Sequence, residues 1–308
     1  MMDKGIKFIN KSISTACITI MWSTNGAFRG IKMNYNLKID TQKSFDGRFD
    51  ISSVYVEAPF HKQNLLINSS GLHLVSPAEL GFMRTDKPKN HAFMKYSRSS
   101  MSSLMIPEED KIVLVKSGAL SNLYARDLVN AHADGKECLI PKEDKEMVYD
   151  LVTALERAGL AKTINPGNKT LSAKLDEETS DFMFSDDDLR IKSSDYGRTL
   201  VANGRGIITA YFDDADYMKK QKGMYLNIVR VRSPADIFNV YGSGNWNLGD
   251  DDGAFGVNFV PVEGAQKIVE PEYYTIDQLL KNARSINLSR VHIECLRSMF
   301  ADYRIIKK

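Results

Sequence analysis

The chain has 308 residues, 43% of them hydrophobic and 26% charged, with a formal net charge of +2 at pH 7. That length holds one large domain or two ordinary ones, with apolar content enough for a sizeable core. No apolar run approaches the roughly 20 residues that a spanning helix needs. The three cysteines, Cys17, Cys138 and Cys295, lie far apart without CxxC or Cys/His ligand spacing, which argues against a zinc site.

At the start of the chain Lys4, Lys7 and Lys11 precede Ala16–Trp22, the order of a signal peptide. The apolar part is short, Thr19 interrupts it, and no small-x-small cleavage site follows. Residues 1–32 therefore read as a leader or a poorly packed extension. From Met33, Tyr35, Leu37 and Ile39 alternate with polar neighbours. Phe49 and Ile51, then Val54 and Val56, do the same, which is strand periodicity. Two short runs, Asn64–Asn68 and Leu72–Val75, flank Ser69-Ser70-Gly71 and read as a hairpin. Residues 76–107 have weak periodicity and read as a long loop. Lys111–Val115 is a strand. Ser121 is a candidate cap for a helix over 122–133, and a second helix runs from about Lys142 to Ala158. In the latter Met147, Val148, Leu151, Val152 and Leu155 share one face, and Gly159 stops it.

Residues 165–196 open on Asn165-Pro-Gly-Asn168, turn acidic, and read as a linker between an N-terminal α+β domain (33–164) and a C-terminal one (197–308). Beyond it, Gly206–Phe212 reads as a strand and Ala215–Gln221 as a short helix. Tyr225–Val231 is the next strand, a turn of helix can start at Pro234, and a loop spans 239–253. Phe255, Val257 and Phe259 then alternate as a strand. Thr275 and Ser289 cap two further helices, over 276–285 and from 289 on. The expected fold is α+β, two packed halves with mainly antiparallel strands and helices grouped mid-chain and at the C-terminus.

Charge is segregated. Asp176, Glu177, Glu178, Asp181, Asp186, Asp187 and Asp188 form a stretch without Lys or Arg. Arg84, Lys87, Lys89, Lys95 and Arg98 form a basic one, interleaved with Phe82, Phe93 and Tyr96. Cations neutralise phosphates and aromatic faces stack unpaired bases, so Arg84, Lys87, Lys89, Phe93, Lys95, Tyr96 and Arg98 are candidate nucleic-acid contacts. An acidic protein surface would satisfy the same cations.

Tyr211-Phe-Asp-Asp214, followed by Asp216, sits between two predicted strands. Carboxylates at a strand end can hold Mg²⁺ for phosphoryl transfer, which makes Asp213, Asp214 and Asp216 candidate metal ligands. The four residues resemble the Tyr-x-Asp-Asp motif of reverse transcriptases and related palm-domain polymerases. The competing reading is a helix start, with an Asp as N-cap and acids favoured by the helix dipole. Gly249–Gly253 fails the calcium-loop pattern, because Leu248 and Phe259 fall on ligand positions. Gly242–Gly249 lacks the third glycine of a dinucleotide loop. Trp246 in that loop is a candidate interface anchor. His73 alternates with Leu72 and Leu74 and is expected to face solvent.

Residue patterns thus favour a cytoplasmic, non-enzymatic binding protein contacting nucleic acid or an acidic protein surface through 84–98, with no membrane partner. A divalent-metal enzyme using Asp213, Asp214 and Asp216, and an assembly subunit meeting a neighbour through Trp246 in an oligomer, are the alternatives.

Overall fold

The computed structural model describes residues 37–116, 118–164, 175–242 and 253–262 with their side chains, and the strand backbone at 18–24, 27–33, 173–174, 273–274 and 305–306. In chain order its strands begin with β1 (Ile18–Thr24), β2 (Ala27–Met33), β3 (Asp40–Lys43) and β4 (Phe49–Glu57). Helix α1 (Phe60–Ser69), β5 (His73–Leu74), α2 (Pro77–Arg84), β6 (Ser97–Ile106) and β7 (Lys111–Val115) follow. Then come α3 (Ala119–Leu123), α4 (Ala125–Ala133), β8 (Cys138–Leu139), α5 (Lys145–Arg157), β9 (Ala161–Ile164) and β10 (Ala173–Lys174). The remainder is α6 (Glu177–Phe184), α7 (Ser193–Ala202), β11 (Thr209–Tyr211), α8 (Ala215–Lys220), β12 (Tyr225–Val231), β13 (Val240–Tyr241), β14 (Gly253–Pro261), β15 (Tyr273–Tyr274) and β16 (Ile305–Ile306).

Among the described residues twelve strands form one sheet, along the path β10-β11-β13-β12-β6-β14-β4-β3 with β5, β7, β8 and β9 branching from it. Its pairings are antiparallel except β11 with β13 and the Ala254–Arg98 contact of β14 with β6. The fold is α+β, and helices are interspersed through the chain rather than confined to its middle and end, since α1 and α2 precede residue 85. β6 pairs β12, and β4 pairs β14, so the two halves read from the sequence meet strand against strand within one sheet. The helices expected over 276–285 and from Ser289 lie outside the described residues.

Apolar side chains fill both faces. One face packs Val56, Leu104, Val113, Leu226 and Ile228 under α1, α3, α4 and α5. The other packs Phe49, Met101, Leu114, Tyr225 and Val231 under α2, α6, α7 and α8. Strands buried on both faces read as continuous apolar runs, which is why Lys111–Val115 and Tyr225–Val231 stand out in the sequence.

Three expectations are overturned. The hairpin around Ser69-Ser70-Gly71 is instead the end of α1, with Gly71 at φ +73 closing the helix through its N–H to Asn68 O. The long loop over 76–107 contains α2 and β6. Ser76 and Glu79 cap α2 reciprocally and Pro77 opens it. All eight α2 residues are buried. The acidic stretch read as linker is α6, capped by Asp176 and docked through Met183 and Phe184. The helix over 145–157 ends as expected, with Gly159 at φ +70.

Two arginines hold the centre. Arg84 ends α2 and is 0% exposed. Its Nε donates to Phe93 O (2.7 Å), Nη1 to Arg232 O (2.7 Å), and Nη2 to Lys95 O (2.5 Å) and Val231 O (3.5 Å). Burial lowers its pKa and the Tyr196 hydroxyl opposes that. An arginine stays charged under such a shift. Arg98 on β6, also 0% exposed, donates through Nη1 to Ala58 O (3.0 Å) and Gln63 Oε1 (2.7 Å).

Close approach matters at Gly256 of β14, where a Cβ would stand 2.7 Å from Ile67 Cγ2 of α1. Gly256→Ala should lower stability by about 1–3 kcal/mol through overpacking, and pairing it with Ile67→Ala should give a loss smaller than the sum. Arg84→Ala strands several buried carbonyls, each costing about 1–3 kcal/mol. Urea unfolding should show a loss of about 3 kcal/mol or more on that basis. Arg84→Lys should recover little, because an ammonium lacks the planar fork.

Candidate functional site

The structure does not assemble the basic segment into one exposed face. Arg84, Arg98 and Phe93 are buried, the two arginines on the backbone and side-chain acceptors described above. Phe93 meets Phe255 edge to face at 5.5 Å. Tyr96 is half-buried, and its carbonyl accepts from Tyr55 Oη at 3.0 Å. Lys87 is half-buried and donates to Gln42 Oε1 (3.1 Å), while Lys95 is exposed over the Tyr55 ring at 4.6 Å. Lys89 is exposed. The correction is physical: a guanidinium can satisfy backbone carbonyls as readily as phosphates, and sequence charge does not distinguish the two.

The acids of the Tyr211–Asp216 stretch also separate. Asp213 is buried, and its Oδ2 accepts from Tyr225 Oη (2.8 Å) and Asn227 Nδ2 (3.5 Å) on β12. Asp214 is the N-cap of α8, its Oδ1 accepting from Tyr217 N at 2.7 Å. Asp216 is exposed in the first turn of that helix. Among the described residues no group of three or more His, Cys, Asp or Glu could hold a metal ion. The three carboxylates are thus a buried acceptor, a helix cap and a dipole partner. Trp246 lies outside the described residues.

Beside Asp213 stands a residue that the sequence reading missed. Glu137, just before β8, accepts from Tyr217 Oη at 2.6 Å. Burial raises its pKa, the Asp213 charge adds to this, and Tyr217 and Arg230 oppose it. Leu139 and Tyr217 are 48% and 39% exposed. Cys138, next to Glu137 in the chain, is buried, and burial pushes its thiol up to about 12, which leaves it unreactive as a nucleophile.

The adjoining strands β11 and β13 carry an aromatic row. β11 and β13 pair in parallel with Tyr211 opposite Tyr241, and β12 places Arg230 opposite Tyr241 on the other side. The Tyr211 and Tyr241 rings stack at 4.5 Å and 7°, with Phe238 tilted against Tyr211 at 5.7 Å. The guanidinium carbons of Arg230 and Arg232 lie 5.6 and 5.7 Å from the Tyr241 centroid, within cation–π range. Arg232 also pairs with Asp236 at 3.1 Å. Tyr211, Phe238 and Tyr241 remain half-exposed.

Two loop segments extend this row. Asn239 N donates to Thr209 O (3.0 Å), Thr209 Oγ1 to Ile237 O (2.6 Å), and Arg205 Nη2 to Ala235 O (3.0 Å). Segments 205–209 and 235–239 therefore run side by side. They expose Ile207 (44%) and Ile237 (67%), and the end of α7 adds Val201 (66%). Isolated exposed aliphatic residues are ordinary, but several on adjoining segments beside stacked aromatics make this a candidate interaction surface. Nothing in the spacing of Tyr211 and Tyr241 announces their contact, which depends on the parallel pairing.

Among the described residues no helix is long and apolar enough to cross a membrane. No protein-family model matches the sequence, and no curated protein does. A solved structure described as "Accommodation of massive sequence variation in Nanoarchaeota by the C-type lectin fold" is similar to this chain at 12% identity and a TM-score of 0.45. The likeness covers 69% of this chain and 99% of that one.

Proposed function

We propose that the protein is a non-enzymatic binding protein whose partner is a protein or peptide surface. It meets that partner through the aromatic row on the β11–β13 pair and its two flanking loops. The observation that carries this reading is the half-exposed Tyr211–Tyr241 stack, continuous with Phe238 and the exposed Ile237 and Ile207. Rigid aromatic rings with arginines at the margin are the composition of interface hot spots, because large area is buried at small entropic cost. Arg205 and Arg232 sit at that margin.

The nucleic-acid reading through 84–98 has less support, because three of its seven side chains are buried. The metal-dependent reading lacks a ligand set among the described residues. Neither finding bears on a partner held by the aromatic row.

The test is selection of peptides from a random display library on the folded chain, with Tyr241→Ala/Ile237→Asp and Lys87→Ala/Lys89→Ala/Lys95→Ala variants and a single-stranded oligonucleotide beside it. Selected peptides should lose about 30-fold in affinity on the first variant, the 2 kcal/mol of a hot-spot truncation. They should bind the triple lysine variant unchanged. Equal binding to all three proteins overturns the assignment. Salt-dependent oligonucleotide binding that fails only in the lysine variant would return recognition to the basic segment.

A further inference from the structure

The entry to α2 carries a second feature, separate in role from the aromatic row. β5 pairs with β14, His73 opposite Val257. Ser76 N donates to Glu79 Oε2 (2.8 Å), and Glu79 N to Ser76 Oγ (3.1 Å). The other carboxylate oxygen, Oε1, stands 2.6 Å from His73 Nε2. Glu79's side chain is only 8% exposed, whereas that of His73 is 52% exposed. One solvent-reachable imidazole thus neutralises a nearly buried carboxylate at the head of a helix buried along its whole length.

Other charges face the pair. Asp186, whose Oδ1 accepts from Leu189 N (2.9 Å), acts on both His73 and Glu79. Asp188 and Lys116 act on Asp186 in turn. Lys116 Nζ donates to Ser185 O (3.2 Å) and lies over the Phe182 ring at 4.9 Å. Removing the imidazolium charge leaves the Glu79 and Asp186 carboxylates facing each other in a region of low dielectric, where like charges repel strongly.

We propose that the His73–Glu79 contact is a proton-operated latch, holding the head of α2 against β5 and the 185–191 turn below neutral pH and loosening it above. Three directions agree. Burial lowers the His73 pKa, but Glu79 and then Asp186 raise it past its ordinary 6.5. Burial raises that of Glu79, but His73 and the Ser76 bonds bring it below its ordinary 4.5. Burial raises Asp186 above its ordinary 3.8.

The folded state therefore holds the His73 proton more tightly than the unfolded chain does. That stabilisation is complete below pH 6.5 and is lost as pH rises through the folded value. Glu79 has the opposite sign, and its stabilisation is lost as pH falls below 4.5 through its own folded value. Asp186 adds to the fall on the alkaline side of its ordinary value. The latch is thus firmest between about pH 4.5 and 6.5, the interval in which Glu79 is ionised and His73 protonated.

Imidazole NMR titration of the full chain, with urea unfolding at pH 5.5 and 8.5, tests this. The His73 midpoint should lie above 6.5, whereas that of His91, lowered by burial and Lys87, should lie below it. The urea midpoint should drop from pH 5.5 to 8.5, and His73→Gln should remove most of that drop. Amides of α2 should exchange faster at pH 8.5 after correction for intrinsic rates. A His73 midpoint at or below 6.5 overturns the latch, as does an equal drop in His73→Gln. The titration needs only the wild-type chain, so it decides the matter even where the variant fails to fold.

Discussion

The guanidinium of Arg84 fixes three places at once: where α2 ends, where residues 93–95 lead into β6, and where β12 runs out. A buried cation stripped of its acceptors costs several kcal/mol, so these segments must be in place together. Tyr196 of α7 lies against the same group and stacks on Phe184 of α6 at 4.6 Å. The α2–α6–α7 layer is thereby tied to the sheet by a polar anchor as well as by apolar packing. Arg98 performs the corresponding task on the opposite face, reaching Gln63 of α1.

These ties shape what remains outside. β12 is paired with β6 along one side, and on the other it meets β8 at one end and β13 at the other. Asp213 bonds the side chains of Tyr225 and Asn227 of this strand. From β12 the row Arg230, Tyr241, Tyr211 runs across β13 to β11, changing from buried to half-exposed. The interaction surface proposed for this protein is the outer end of a register that begins beside Arg98 in the core, where β12 sets Arg230 opposite it. Its rigidity follows from that continuity, and rigid aromatic groups lose little entropy on binding.

The sequence was legible where burial followed a period. Residues 145–157 carry a 3.6-residue stripe and a glycine stop, and the buried strands β7 and β12 are largely apolar, Ile112–Val115 continuously so and β12 broken only by Asn227 and Arg230. β6 was hidden because Ser97, Arg98, Ser99 and Ser103 suggest exposure. Their polar atoms instead meet buried acceptors: Ser97 Oγ donates to Arg98 O (2.7 Å), Ser99 Oγ to Val229 O (2.6 Å), and Ser103 Oγ to Gly242 O (2.7 Å). A hydroxyl that can bond a carbonyl makes a strand look polar without putting it in water. α1 was hidden for a related reason, since Gln63 faces the core and donates to Val56 O at 2.8 Å. α2 had a readable signal in Ser76-Pro-Ala-Glu79, a capping box with proline at the first position. Asp214 as a helix cap was also readable. The Tyr211–Tyr241 stack and the Glu137–Tyr217 contact were not, because only tertiary pairing brings them together.

The central claim is that Arg84 and Arg98 of the 84–98 segment are committed to holding the fold together, with recognition proposed for the β11–β13 aromatic row. Its most direct test is exchange of the arginine Nε–H protons, followed by ¹⁵N NMR in deuterated solvent, with Arg84→Lys for assignment. The Arg84 Nε–H, bonded to Phe93 O in a fully buried site, should persist as long as the backbone amides of β12. Exchange as fast as that of a solvent-exposed arginine would contradict the account, and would free Arg84 for a ligand.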